Sequence, residues 1–364
     1  MKVDKFPKGF DSLDPAVRSR LLKEMTAYLR PFNMHCHTFF SYNGYGYSPT
    51  HIAAIAARQG WRTAGLVDFD VLDGVDEFLS ACAALRVPAV AGMETRVFVP
   101  ELADKEINSP GEPGVAYHLG MNFRSSEVPA QWSTFAADLK AKANMRTRQV
   151  VEKVNTVLSE IALDFDAEAQ KRTPAGNVTE RHICSAYREM AESKFSGAEL
   201  ESFWTARIGE YSADAVKLEG KIRSKLMKQG GVGYVAPKPE IFPTLQEMNA
   251  FVKGCGAVPT VAWLNGLSAG EADPEALLEL HVKNGAGAVT IIPDRNWRAS
   301  DPEKAAQLTA AMDRFLAACA KFKLPVLAGT EMNAPGQLLA DDFTVPALAK
   351  HYCQLAAGAD AFTC

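Results

Sequence analysis

Two histidines flank one cysteine in Phe32-Asn33-Met34-His35-Cys36-His37-Thr38-Phe39-Phe40-Ser41. On a β-strand, residues two apart point to the same side, so His35 and His37 converge while Cys36 turns away as a packing residue. Two neutral imidazoles at the mouth of a barrel make half of a metal site, of a kind that suits Zn, Fe, Ni or Mn. A pair of surface histidines is the alternative this tripeptide leaves open. Carboxylates follow at the ends of later apolar runs: Asp68-Phe69-Asp70 after Thr63-Ala64-Gly65-Leu66-Val67, and Glu94 after Pro88-Ala89-Val90-Ala91-Gly92-Met93. A cation held by such groups polarises a phosphoryl or carbonyl oxygen and acidifies water, which is hydrolytic chemistry.

Those residues need strands that end together. After the histidine strand, Ser48-Pro49 is an N-cap and first-turn pair for a helix ending at Gly60. Asp73 is expected to cap a second helix running to about Arg86. In the last third, strands are expected at Val258–Ala262, Ala288–Ile292 and Leu324–Gly329, with helices near 244–254, 273–284, 302–321 and 345–356 between them. Parallel strands with crossover helices gather functional groups at their carboxyl ends, and a closed barrel is favoured over an open sheet. The charged, strand-poor stretch 124–241 reads as a helical insertion, so that 1–123 and 242–364 form the barrel and 124–241 a cap over its mouth.

The chain has 364 residues, 47% hydrophobic and 23% charged, with a formal charge of −4. That is a globular composition with ample core. No basic block with interleaved aromatics points to nucleic acid or a membrane surface, and no run approaches the roughly 18 apolar residues of a membrane span. The segment Met1–Pro7 is too charged for a signal peptide. Seven cysteines, scattered and without a CxxC pair, fit reduced thiols. A cytoplasmic protein with a small-molecule partner is expected; the oligomeric state is open.

Taken in order, the motifs resemble those of the PHP (polymerase and histidinol phosphatase) superfamily of metal-dependent phosphoesterases. The opening motif is similar to His35-Cys36-His37-Thr38 with Ser41, Gly44 and Ser48-Pro49. The second is similar to Val67-Asp68-Phe69-Asp70-Val71-Leu72-Asp73-Gly74. Gly92-Met93-Glu94 and His118-Leu119-Gly120 resemble later family motifs, and Arg181-His182-Ile183 resembles the start of a family cap helix. The resemblance spans nearly the whole chain and implies an α/β fold, a distorted (β/α)7 TIM-like barrel with a helical cap insertion.

It also implies a first metal site of His35, His37, Glu94 and Glu331, the last replacing the family's aspartate. At the positions of a second site stand Tyr42, Phe69 and Asn333, and a third-site histidine turn is replaced by Ala262-Trp263-Leu264. The set points to one divalent cation (Zn, Fe or Mn) per chain. His118 is expected as an acid/base group, a fifth ligand or a packing histidine, and Asp68 as a catalytic or orienting carboxylate, or a turn former. Arg181, His182 and Arg295 are candidate readers of an anionic substrate, with surface salt bridging as the alternative for each arginine. His51, His281 and His351 fall on expected helices without ligand neighbours.

The expected function is a metal-dependent, phosphoesterase-like hydrolase of a small anionic substrate. The alternative is a non-catalytic or non-phosphatase descendant that binds a metabolite or metal in the old site. A polymerase-associated proofreading module ranks last, for want of a basic surface.

Overall fold

The computed structural model describes residues 14–18, 29–236 and 241–363; the segment Met1–Pro7 lies outside them. Seven strands form one sheet in sequence order: β1 (Asn33–Cys36), β2 (Ala64–Phe69), β3 (Ala89–Phe98), β4 (Val115–Phe123), β5 (Val258–Trp263), β6 (Ala288–Ile291) and β7 (Val326–Ala328). Pairing is parallel from β1 to β3 and from β5 to β7. β4 runs antiparallel to both its neighbours.

That reversed strand departs from the all-parallel expectation. The link from β3 to β4 holds only a short 3-10 turn, Pro100–Leu102. Without a crossover helix the chain can only return beside the strand it has just left. β3 also continues past Glu94 to Phe98, which carries Arg96 into the fold.

The two ends of the sheet meet at a seam between β1 and the end of β7. Cys36 bridges Glu331 in parallel, and His37 N–H donates to the Glu331 carbonyl at 2.8 Å. The amide of Asn33 pins the seam: Oδ1 accepts from His35 N at 3.0 Å and Thr330 N at 3.1 Å, while Nδ2 donates to Thr330 Oγ1 at 2.7 Å. A β-carbon on Gly329 would lie 2.4 Å from both His35 N and Asn33 Oδ1, so only glycine allows this approach. The sheet is thus a nearly closed, distorted TIM-like barrel, shut by one backbone bridge and the Asn33 amide rather than a full ladder.

Helices cover the outside. Pro49–Gln59 is capped by Ser48 and ends at left-handed Gly60, as expected. Val75–Leu85 has Gly74 at its N-cap, which offers no side chain, so the expected Asp73 cap is not formed; Asp73, one residue earlier, faces Lys140 at 3.6 Å. Leu245–Gly254, Pro274–Lys283 and Pro302–Phe322 fall where expected, whereas the last stretch is split into Pro346–Ala349 and Tyr352–Asp360. Between β4 and β5, helices such as Ser133–Asn155, Glu180–Lys194 and Gly197–Ile208 build an apolar cluster of their own around Tyr187 and Trp204. No helix among the described residues is long and apolar enough to cross a membrane.

Candidate metal centre

β1 delivers His35, the residue after it delivers His37, and β3 delivers Glu94. Their ligand atoms all lie within 4.8 Å of one another, the one such trio of histidine, cysteine or carboxylate groups among the described residues. All three are buried. Both Nε2 atoms stand 3.1 Å from Glu94 Oε2. The second imidazole ring nitrogens are engaged elsewhere: His37 Nδ1 meets Ser41 Oγ at 3.3 Å and His35 Nδ1 meets Thr290 Oγ1 at 3.5 Å. Cys36 points outward into the helix-facing core, as the alternation requires.

These residues fit a divalent cation. His37 Nε2 is buried yet lacks a hydrogen bond, since its approach to Glu94 is close but misaligned. A buried nitrogen with its partner nitrogen already engaged by a hydroxyl is the arrangement of a ligating histidine. Burial works against ionised Glu94, but the two imidazoles of His35 and His37, each with Nε2 at 3.1 Å, hold its carboxyl down at about 2, so it presents a carboxylate. Two nitrogens and one oxygen leave open positions for water or substrate.

Asp68 sits behind this trio. Its Oδ1 accepts from Thr38 N at 2.7 Å and Ser41 Oγ at 2.7 Å, and its Oδ2 accepts from Thr38 Oγ1 at 2.6 Å. The carboxylate therefore ties the loop after β1 and, through Ser41, the ring of His37. Phe69 stacks on that same ring.

Through His35 and Glu94 the trio borders a cavity of about 790 Å³, a size that suits a small molecule. Arg181, Arg295, Glu331, Tyr42 and Asn333 all line it. Glu331 lies outside the trio: its Oε2 accepts from Arg295 Nη2 at 2.6 Å and Gln337 Nε2 at 3.2 Å. Glu331 and Met332 both adopt left-handed backbone (φ 65° and 56°), a strain held by the seam. The Arg181 guanidinium carbon lies 5.8 Å from the Tyr42 ring centroid, and burial pushes its pKa down.

Two expected site residues are placed elsewhere. Along β4, Tyr117 lines the cavity and His118 turns outward, where its Nε2 meets Asn249 Oδ1 at 2.7 Å and its ring stacks near His281. Burial pushes its pKa down to about 4. His182 closes a helix N-terminus: its Nδ1 accepts from Thr179 N at 3.1 Å, with Tyr42 edge-on at 5.0 Å.

Sequence reasoning missed a second group on the cavity wall: Arg96, Arg146, Arg223, Lys228 and Tyr117. Arg96 stands two residues after Glu94, so the alternation that paired His35 with His37 would have found it had the strand been extended. Arg146 sits on a long charged helix and gave no signal.

No family model matches the chain, and no curated protein does either. Solved structures do, and two of them give the measure of the likeness. One is an amidohydrolase from Chromobacterium violaceum with bound sulfate and no metal, 18% identical, covering 90% of this chain and 96% of its own at a TM-score of 0.59. The other is a protein from Bifidobacterium adolescentis proposed to be a metal-dependent phosphoesterase, 20% identical, covering 88% of this chain and 95% of its own at a TM-score of 0.58. What this chain shares with both, over nearly their full lengths, is the barrel fold.

Proposed function

We propose that this chain is a metal-dependent hydrolase of the PHP type, acting on a small anionic substrate through one divalent cation held by His35, His37 and Glu94. The observation that carries this reading is the orphaned His37 Nε2 grouped with His35 and Glu94, the two members of the trio that line the cavity. The two solved structures named for an amidohydrolase and a metal-dependent phosphoesterase support it, as does the motif order. When bound, the cation supplies Lewis acidity, polarising the scissile oxygen and acidifying water.

The chain's own residues do the rest. Asp68, through Ser41, and Thr290 orient the two imidazoles. Arg181 and Arg295 offer cationic groups to the substrate from opposite sides of the sequence, with Glu331 positioning Arg295. Phe69 covers His37 and keeps water from its face. The stretch 124–241 acts as the cap that supplies Arg181. Zn, Fe or Mn all suit two imidazoles and a carboxylate.

The test is metal content by elemental analysis of protein purified without chelators, beside hydrolysis of a phosphate-ester panel. The expected result is about one metal per chain, lost in His35→Ala and in Glu94→Gln, with turnover abolished by a chelator and restored by metal. Unchanged metal content in both variants would overturn the site. Metal binding without turnover on any hydrolysable substrate would favour the second reading, a ligand-binding descendant, for which the apolar Phe69 and the phenol of Tyr42 beside the trio speak.

A further inference from the structure

Beyond the metal trio, the cavity wall carries cations in excess of their partners. Arg96 and Arg146 both lie over the ring of Phe242, with guanidinium carbons 4.7 and 5.4 Å from its centroid. The ring's quadrupole lets two like charges share one platform. Arg96 Nη1 donates to Glu112 Oε2 at 2.6 Å, and Glu112 also accepts from Ser109 Oγ. Arg223 and Lys228 share a single carboxylate oxygen, Glu180 Oε2, at 2.9 and 2.7 Å. Arg146 has no hydrogen bond or ion pair among the described residues, although it lines the cavity. Nor does the Tyr117 hydroxyl, which faces the same space. Asp70, which accepts from Thr95 Oγ1 at 2.5 Å, and Glu106, which accepts from Gly111 N at 2.8 Å, also line the cavity; the Asp70 charge acts on Arg146 from a distance, and neither carboxylate forms an ion pair with it.

An unpaired guanidinium beside a second one is costly in a half-buried site, and a bound anion relieves that cost. Guanidinium groups recognise carboxylates and phosphates through paired N–H donors. We propose that Arg146, with Arg96 and Tyr117, forms a second anion-binding point in the cavity, separate from the metal donors. Glu94 and Arg96 are two residues apart on one face of β3, so their Cα atoms stand roughly 7 Å apart, and the long arginine carries its charge further. If the hydrolase reading holds, on which this last step rests, the substrate carries two anionic groups. One meets the trio and the other meets Arg146.

The anion point is testable without metal. Inorganic phosphate is titrated calorimetrically into the chelator-stripped chain, with thermal unfolding of each variant as a control for folding. Wild type and His35→Ala are expected to bind phosphate alike, Arg146→Lys to bind several-fold more weakly, and Arg146→Met at least tenfold more weakly with its melting temperature kept or raised. Elemental analysis is expected to find Arg146→Met still able to load metal, which separates this point from the trio. Phosphate binding that is absent in wild type, unchanged in Arg146→Met, or lost in His35→Ala would overturn the proposal while leaving the hydrolase reading to its own test.

Discussion

The ring of Phe69 lies on the imidazole of His37, with centroids 4.2 Å apart and planes 23° from parallel. A phenyl ring has no electron pair to give a cation, and here it lies flat on a neighbour's imidazole instead. A flat contact of this kind is worth about 0.5–1.5 kcal/mol beyond the area it buries. Phe69→Ala is therefore expected to keep the fold and to weaken metal binding about tenfold, because His37 is freed to turn, whereas Phe69→Tyr should keep most of the affinity. Isothermal titration of Zn into the stripped protein checks both; equal affinity in all three would mean that the stack does not position the ligand.

Asp68 makes a stronger claim on the same ring. Thr38 N, Thr38 Oγ1 and Ser41 Oγ all donate to it inside a fully buried pocket. Removing the carboxylate leaves three donors unsatisfied, at about 1–3 kcal/mol for each group that finds no other partner. Asp68→Ala is expected to lower the urea midpoint markedly and to weaken metal binding about 10–100-fold, the usual effect of losing a partner that orients a ligand. Asp68→Asn keeps an acceptor and should fall between. A variant with full metal affinity and lowered stability would leave Asp68 a loop tie alone.

The seam can be probed at one atom. A methyl group at Gly329 would meet His35 N and Asn33 Oδ1 at 2.4 Å and His35 Cβ at 2.6 Å, contacts that force backbone to move. Overpacking of this sort costs typically about 1–3 kcal/mol. Gly329→Ala should therefore lower both stability and metal affinity, although residue 329 touches no metal. Melting temperature and metal content together read the outcome, and a loss of stability with full metal loading would show that β1 can shift without disturbing His35.

Much of this architecture is legible in the sequence. The pairing of His35 with His37, and the turn of Cys36 away from them, follows from strand periodicity alone, and caps such as Ser48-Pro49 mark the helices that separate the strands. β4 is not legible, because both its faces are buried: Val115–Phe123 shows no apolar and polar alternation, and its antiparallel direction depends on the short link before it. The direction of His118 is not legible for the same reason. Without knowing which face Tyr117 takes, a histidine between two apolar residues reads as well toward the site as toward helix Leu245–Gly254. Arg146 is the harder case, since its place beside Arg96 on Phe242 joins residues 50 and more apart that only the folded insertion brings together.

The outward-facing histidines carry a pH signature. Burial holds His118 at about 4 and His281 at about 3, with His118 adding to the effect on His281; an unfolded histidine titrates near 6.5. Between these values the unfolded chain binds protons that the folded chain refuses. Stability is thus full above about pH 7 and falls as the pH drops through the window, by at most about 1.4 kcal/mol per pH unit for each histidine. Buried Asp68 and Asp341, whose carboxyls burial pushes up, act in the opposite sense. The prediction therefore rests on a difference: His118→Gln, which can keep a hydrogen bond to Asn249, should lose less stability than wild type between about pH 7 and pH 5. Parallel losses in urea denaturation at the two pH values would place the acid sensitivity elsewhere.

Glu331 and Arg295 separate two roles that the sequence left joined. The motif order offers Glu331 as a fourth metal donor, yet its Oε2 is 2.6 Å from Arg295 Nη2 and its carboxylate stands apart from the trio. Arg295 is 42% exposed, so the pair adds only about 0–1 kcal/mol to stability. Its value is in placing a guanidinium at the cavity. Glu331→Gln and Arg295→Met are both expected to keep the metal and the fold, and to raise the KM for an anionic substrate several-fold more than they lower kcat, since each weakens binding rather than the chemical step. Metal lost from Glu331→Gln but retained in Arg295→Met would instead make Glu331 a ligand, with Arg295 shielding its charge until the cation arrives.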